Sequence, residues 1–160
     1  MTRVLLSIAI SLACSCGAVA ADLFGPRLEL VLSGTAFEGP PAFTVTVDGE
    51  TVGEGVVEAS IESSQGLTIT PELIVRNAQL FRFVLPYGAD PSIVEVSFTN
   101  DHYGGEERPY LDRNLYILSV SYEGAEIPRS NFTLPDSTSY LGEEIVAIFS
   151  NGTVRVQIGD

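Results

Sequence analysis

An all-β protein, built as an antiparallel β-sandwich of jelly-roll type, is what this sequence predicts. Short segments alternate apolar and polar residues, as half-buried strands do; Phe43-Thr44-Val45-Thr46-Val47 and Val94-Glu95-Val96-Ser97-Phe98 are examples. Gly, Pro and Asn punctuate these segments at short intervals. No stretch has the apolar spacing of a long amphipathic helix.

The elements follow in order. Leu28 to Ser33 reads as a first strand. Phe43 to Val47 leads into Asp48-Gly49, a strong hairpin turn, and Thr51 to Ile61 continues from it. Leu67-Thr68-Ile69 and Leu73-Ile74-Val75 are short apolar pieces around Pro71, and Leu80 to Leu85 is a strand stopped by Pro86-Tyr87-Gly88. Val94 to Phe98 and Leu115 to Tyr122 flank a long loop, the second strand being apolar on both faces. Arg129 to Gly142, rich in Ser, Thr and Pro, reads as a loop or linker. Ile145 to Phe149 and Val154 to Ile158 flank Ser150-Asn151-Gly152-Thr153, which predicts a last hairpin over 143–159 as an added edge.

Residues 1–21 read as a secretory signal peptide rather than as part of the fold. Arg3 is a short basic start, Val4 to Ala13 an apolar run, and Ala18-Val19-Ala20-Ala21 a small-residue end. The apolar run is too short for a transmembrane span, and no later stretch is longer. Ser11-Leu12-Ala13-Cys14 is a poorer match to a lipoprotein box, with Ser11 where Leu is expected. A secreted or periplasmic product is therefore expected ahead of a lipoprotein. Both cysteines, Cys14 and Cys16, fall in this segment, so the remaining chain has no disulfide. Residues 22–160 suffice for a single domain with its own core.

Twenty-one Asp and Glu stand against 8 Arg, with no Lys, for a net charge of −13. Such a surface repels nucleic acid and anionic membranes. It suits divalent cations and neutral ligands, although acidity alone also keeps a secreted protein soluble.

The acid is not placed at random. Asp101 leaves one strand and Asp112 enters the next, across His102-Tyr103-Gly104-Gly105-Glu106-Glu107-Arg108-Pro109-Tyr110-Leu111. If those strands are neighbours, both carboxylates lie at one sheet edge. Two carboxylates with backbone carbonyls on a short rigid loop form a hard-oxygen site that suits Ca²⁺. The plainer reading is that both cap turns through their own backbone.

Phe98-Thr99-Asn100-Asp101, then Asp112-Arg113-Asn114-Leu115-Tyr116-Ile117, then Val120-Ser121-Tyr122-Glu123-Gly124, resembles the calcium-dependent xylan-binding modules, carbohydrate-binding module families 36 and 60. Phe43 to Gly55 is similar to their early hairpin, and the resemblance covers roughly 28–127. It implies a β-sandwich that binds sugar through a protein-held Ca²⁺. The implied ligands are Asp101, Asp112 and the backbone carbonyl of Leu111, with two vicinal sugar hydroxyls completing the shell. The implied partner is a polysaccharide, xylan or a related β-glycan, bound by a monomer.

Around these ligands, Asn100, Arg113 and Asn114 are candidates for bracing the loop, Arg113 through an ion pair with a nearby carboxylate. Tyr103 and Tyr110 are candidate stacking faces in a chain without Trp, and one of them folding onto the sandwich edge is the alternative. His102, the single histidine, is a candidate sugar contact or a plain loop residue, and cannot form a zinc site alone. Glu106 and Glu107 read as a solvated loop face. Tyr116 and Tyr122 alternate in phase with the strand and read as core.

An enzyme is not expected. No Gly-x-Ser-x-Gly elbow, metalloprotease helix motif or cysteine nucleophile is present, and acids are too many for a pair to single out a glycosidase. The alternative to glycan binding is a Ca²⁺-stabilised extracellular structural or adhesion domain with a protein partner.

Overall fold

Alternating apolar residues place one face of each strand in a shared interior, and two sheets result. The computed structural model describes residues 25–142 and 144–159; the expected signal peptide lies outside the described residues. The first strands are β1 (Arg27–Ala36), β2 (Ala42–Val47), β3 (Glu50–Val56) and β4 (Ile61–Glu62). A short helix, α1 (Pro71–Arg76), precedes β5 (Gln79–Val84), β6 (Ile93–Phe98), β7 (Asn114–Tyr122) and β8 (Ala125–Glu126). The chain ends with β9 (Phe132–Thr133), β10 (Thr138–Leu141), β11 (Ile145–Ile148) and β12 (Gly152–Gln157).

One sheet runs β10-β11-β7-β1-β4, with β5 also paired to β1 and β8 to β7; the other runs β3-β2-β6-β12-β9. Pairing is antiparallel except where β4 meets the end of β1 at Thr35 and Ala36. Leu28, Leu30 and Leu32 of β1 face Phe43, Val45, Val96 and Phe98 across a dry interior. Full burial of each such side chain contributes about 1.5–3 kcal/mol, so this interior holds the sheets together without disulfides. The Asp48-Gly49 turn has positive φ at both residues (49° and 86°), as the expected two-residue hairpin needs.

Strand β7 is apolar on both faces because both are covered. Leu115, Ile117 and Val120 face the main interior, while Tyr116 packs outward with Ile61, Ile74, Ile145 and Ala147 beneath α1. The register shifts by one residue opposite Val31 and Leu32, leaving Leu118 unpaired as a bulge. Tyr116 and Tyr122, in phase in the sequence, therefore belong to opposite faces: Tyr122 packs on the main interior and donates to the Ala89 carbonyl.

Three expectations are corrected, and one segment that the sequence leaves unassigned takes a definite form. The last two strands do not form a hairpin or an edge: β11 pairs with β10 and β7, β12 with β6 and β9, and 149–151 arches from one sheet to the other. β11 is buried on both faces and β12 buries Val154 and Val156 on one, and the partners that bury them in opposite sheets override the Asn-Gly hairpin signal. The 129–142 segment is not a linker but supplies β9 and β10, short strands at the ends of the two sheets. Leu73-Ile74-Val75 is helical. Thr70 accepts from the Leu73 N–H and Pro71 opens the first turn, a start signal that Thr-Pro-Glu already carries. Finally, β6 and β7 are not neighbours. They belong to different sheets, so the 99–113 loop crosses the end of the sandwich.

Ile74 is the fully buried residue on the inner face of α1. Ile74→Ala is expected to lower stability by roughly 2–4 kcal/mol in urea denaturation, with the β-sheet circular dichroism retained. A loss below about 0.5 kcal/mol would mean that α1 is not packed.

Candidate functional site

A loop that crosses between sheets has no ladder to hold it, so its shape depends on bonds of its own. Tyr103 and Asp112 pair as an antiparallel bridge. The Gly104 N–H donates to the Leu111 carbonyl at 2.7 Å and the Arg113 N–H to the His102 carbonyl at 3.0 Å. Gly104 is needed for that approach: a Cβ there would lie 2.7 Å from the Leu111 Cβ. Gly105, with φ of 88°, turns the chain back. The 101–112 segment is thus a small hairpin, which brings its two aspartates together.

Arg113 fixes that hairpin to the sandwich. Its guanidinium is buried and donates from Nε to the Gly39 carbonyl (2.9 Å), from Nη1 to Asn100 (2.5 Å), and from Nη2 to Phe37 (2.5 Å) and Glu38 (2.8 Å). The expected ion pair is replaced by four carbonyls, which a planar five-donor group can reach at once. The Asn100 side chain accepts from the Ala42 N–H (2.6 Å) and donates to the Pro40 carbonyl (3.0 Å). Asn114 donates from both its N–H and its Nδ2 to Thr35 Oγ1. Asn151, in the arch between β11 and β12, accepts the Asp101 N–H at 2.8 Å.

The carboxylates are poorly compensated. Asp101 Oδ1 is buried with no hydrogen-bond partner. Burial pushes the Asp101 carboxyl above its ordinary range, against the opposing pull of the His102 N–H and Arg113. Asp112 is raised as well, first by burial, with the Asn114 side chain opposing and the Asp101 charge adding to the rise. Burial also holds the Tyr116 hydroxyl, at the base of the loop, up at about 12.

The other sequence candidates take separate places. The His102 ring stacks on Phe37, with centroids 5.0 Å apart, and its Nε2 lies 2.9 Å from Glu38 Oε2. Tyr103 and Tyr110 are both exposed, and Glu106 and Glu107 point to solvent. Sequence reasoning missed Thr35, the 37–39 carbonyls and Asn151. Their partners lie 50 to 79 residues away, and no local spacing marks them.

This geometry can be compared with known proteins. A profile of the family described as "CBM60: Ca-dependent carbohydrate-binding module xylan-binding" matches residues 27–134. The chain belongs to this family. Among curated proteins none matches. Two solved structures resemble the module. One is the selenomethionine form of vCBM60, from work on circular permutation as an evolutionary link between two families of calcium-dependent carbohydrate binding modules. It is 15% identical with a TM-score of 0.46, covering 83% of this chain and 91% of its own. The other is vCBM60 in complex with galactobiose, 12% identical with a TM-score of 0.47, covering 82% of this chain and 97% of its own.

The donor set of the module fits a calcium ion. Both carboxylates are hard oxygen donors, one has a buried oxygen without a partner, and the nearest guanidinium is occupied by carbonyls. Among the described residues no three His, Cys, Asp or Glu form a metal cluster. Two carboxylates fill only part of a six-to-eight-oxygen shell, and the Leu111 carbonyl, already accepting one N–H, keeps a second lone pair.

Two outcomes follow. Arg113→Lys is expected to cost roughly 2–4 kcal/mol by urea denaturation, since an ammonium cannot reach four carbonyls; a change within experimental error would remove the clamp. The second concerns pH in EDTA. A carboxyl with a higher pKa folded than unfolded holds its proton more tightly in the native state. Its burial penalty is absent at low pH and fully present above the folded pKa. The calcium-free module should therefore lose stability as pH rises from about 4 through this range. An Asp101→Asn, Asp112→Asn double variant should lose part of that slope; an identical slope would contradict the assignment.

Proposed function

We propose that this module binds a β-glycan, xylan or a polysaccharide of the same type, without catalysis, at a Ca²⁺ site formed by Asp101, Asp112 and the Leu111 carbonyl. The observation that supports it best is the unpartnered, buried Asp101 Oδ1 beside a second desolvated carboxyl on a loop braced from three sides. When bound, Ca²⁺ supplies the missing positive charge and open coordination positions that vicinal sugar hydroxyls can take in exchange for water. Arg113, Asn100 and Asn151 hold the aspartates in place beforehand, so little loop ordering opposes binding. Tyr103 and Tyr110 present exposed rings beside the aspartates, where the apolar face of a sugar can stack. The acidic surface favours a neutral polysaccharide over an anionic one. Residues 1–21 support export, and with it access to polysaccharide outside the cell.

Calorimetric titration with Ca²⁺, followed by xylo-oligosaccharide with and without EDTA, tests this reading. Calcium binding followed by EDTA-sensitive sugar binding is expected. Asp112→Ala should abolish glycan retention while the domain stays folded, and retained binding in that variant would overturn the site. Saturating Ca²⁺ at about 100 times its Kd should add about 2.7 kcal/mol to stability. Calcium-dependent stability without response to any glycan would favour the structural or adhesion domain.

A further inference from the structure

The side of the sandwich between β3 and β5 is closed over only part of its length. Among the described residues β3 pairs only with β2 and β5 only with β1, so both present a free edge there. Phe83 and Phe81 of β5 fill the gap against Gly53 and Gly55 of β3; a Cβ at Gly53 would lie 2.3 Å from the Phe83 ring. One step further along both strands the gap opens into a groove of about 470 Å³. Val52, Val84 and Leu85 form its apolar lining, with Asp48, Glu50 and Asp90 around them. It lies at the end of the sandwich away from the 101–112 loop. Pro91 lines it, and β6 then runs six residues, about 20 Å, before Phe98 leads into that loop.

We propose that this groove docks an extended basic segment of a partner protein, with apolar side chains in the groove and cationic ones against Glu50 and Asp90. The inference goes beyond the glycan-binding reading and does not depend on it.

Charge selects the partner. No Lys, Arg or His lines the groove. Asp48 is spent within the fold, where its carboxylate accepts the N–H groups of Ser92 and Ile93. Glu50 and Asp90 are exposed and stand in no ion pair among the described residues. Two uncompensated carboxylates beside apolar side chains complement a segment that alternates cationic and apolar residues, and they repel an acidic one. A second copy of this chain, itself carrying −13, is repelled as well.

Tyr87 adds to that preference. It is 81% exposed at the tip of the 86–89 turn, whose Pro86 and Ala89 line the groove. The Ala89 N–H donates to the Pro86 carbonyl at 3.0 Å and Gly88 has a φ of 78°, so the turn is closed. An aromatic ring held in water on a closed turn contributes nothing to the interior, and its face can receive a Lys or Arg.

The groove's position between sheet edges favours an extended partner over a helix. The free edge of β5 offers backbone N–H and C=O groups for strand addition. Its register with β1 is regular from Gln79 to Val84, whereas β3 bulges at Val52 and turns that side chain into the groove. Pairing along β5 thus supplies backbone bonds, and the groove and its carboxylates supply selectivity.

The test is calorimetry on the calcium-saturated protein at about 0.15 M salt. The probe is a capped peptide of about seven residues with Lys and Val in alternation, long enough to pair with β5. One peptide should bind per protein. Exchanging its Lys for Glu, or its Val for Ser, should weaken binding at least about tenfold. Glu50→Lys with Asp90→Lys should weaken it as much and leave Ca²⁺ affinity unchanged, and Tyr87→Ala should weaken it less. Glu58→Lys with Asp136→Lys makes the same change in net charge at exposed positions outside the groove and should leave binding nearly intact. Equal losses in the two charge-reversed proteins, or undiminished binding of the Lys/Ser peptide, would reduce the contact to non-specific attraction and overturn the groove. No binding of the Lys/Val peptide overturns it too, and neither result touches the calcium and xylo-oligosaccharide titration that tests the glycan reading.

Discussion

The Arg113 guanidinium is the constraint on which the site depends. The 99–113 loop joins one sheet to the other, so neither ladder can define its path. Four backbone carbonyls from two separate loops converge on one buried cation instead. Those carbonyls would otherwise be polar groups withdrawn from water, and hydrogen bonds to a charged donor offset that loss more fully than neutral ones. The same bonds tie the Phe37–Gly39 turn to Asn100, immediately before Asp101. Remove the fork, and the aspartate loses the backbone that aims it.

Around that clamp the sandwich acts as a frame whose two sheets each supply one side of the site. Strand β6 delivers Asn100 and Asp101 from the five-stranded sheet, and β7 begins at Asn114, just after Asp112, in the seven-stranded one. Asn151 reaches Asp101 from the arch that crosses in the opposite sense. The interior of Leu, Val and Phe fixes the spacing of the sheets, and hence the separation of the two loop ends. Packing energy is in this way converted into geometry at the rim.

Much of the architecture was legible because alternation is a local signal. Phe43 to Val47, Val94 to Phe98 and the Asp48-Gly49 turn read correctly from residues alone. The two aspartates stood out for a similar reason, since a short motif surrounds each. Most of what failed was non-local. Asn151-Gly152 has the composition of a hairpin turn, but β11 and β12 find better partners in opposite sheets, and that choice depends on burial elsewhere. The bulge at Leu118, which separates the faces of Tyr116 and Tyr122, has no composition signature. The Thr70-Pro71 helix start was present in the sequence but was overshadowed by three apolar residues in a strand-rich chain. Arg113 suggested a salt bridge because carboxylates are abundant nearby in sequence; buried carbonyls in need of a donor cannot be seen there.

The electrostatics of the site run against stability in a manner that makes functional sense. A chain with a net charge of −13 already repels itself, and withdrawing two neighbouring carboxylates from water adds to the strain. A protein selected only for stability would place Asn at one position or turn Arg113 toward the pair. Here the guanidinium is committed to backbone and the carboxylates keep an unfilled demand for positive charge. Local rules are broken where a compensating gain arrives from outside the chain. On the proposed reading a divalent cation is that gain: it would be attracted by the same charge density that destabilises the loop, and two carboxylates would leave most of its coordination shell for other oxygens. The mismatch between the charge that the loop carries and the charge that the fold compensates is therefore the physical basis for reading the loop as a binding site.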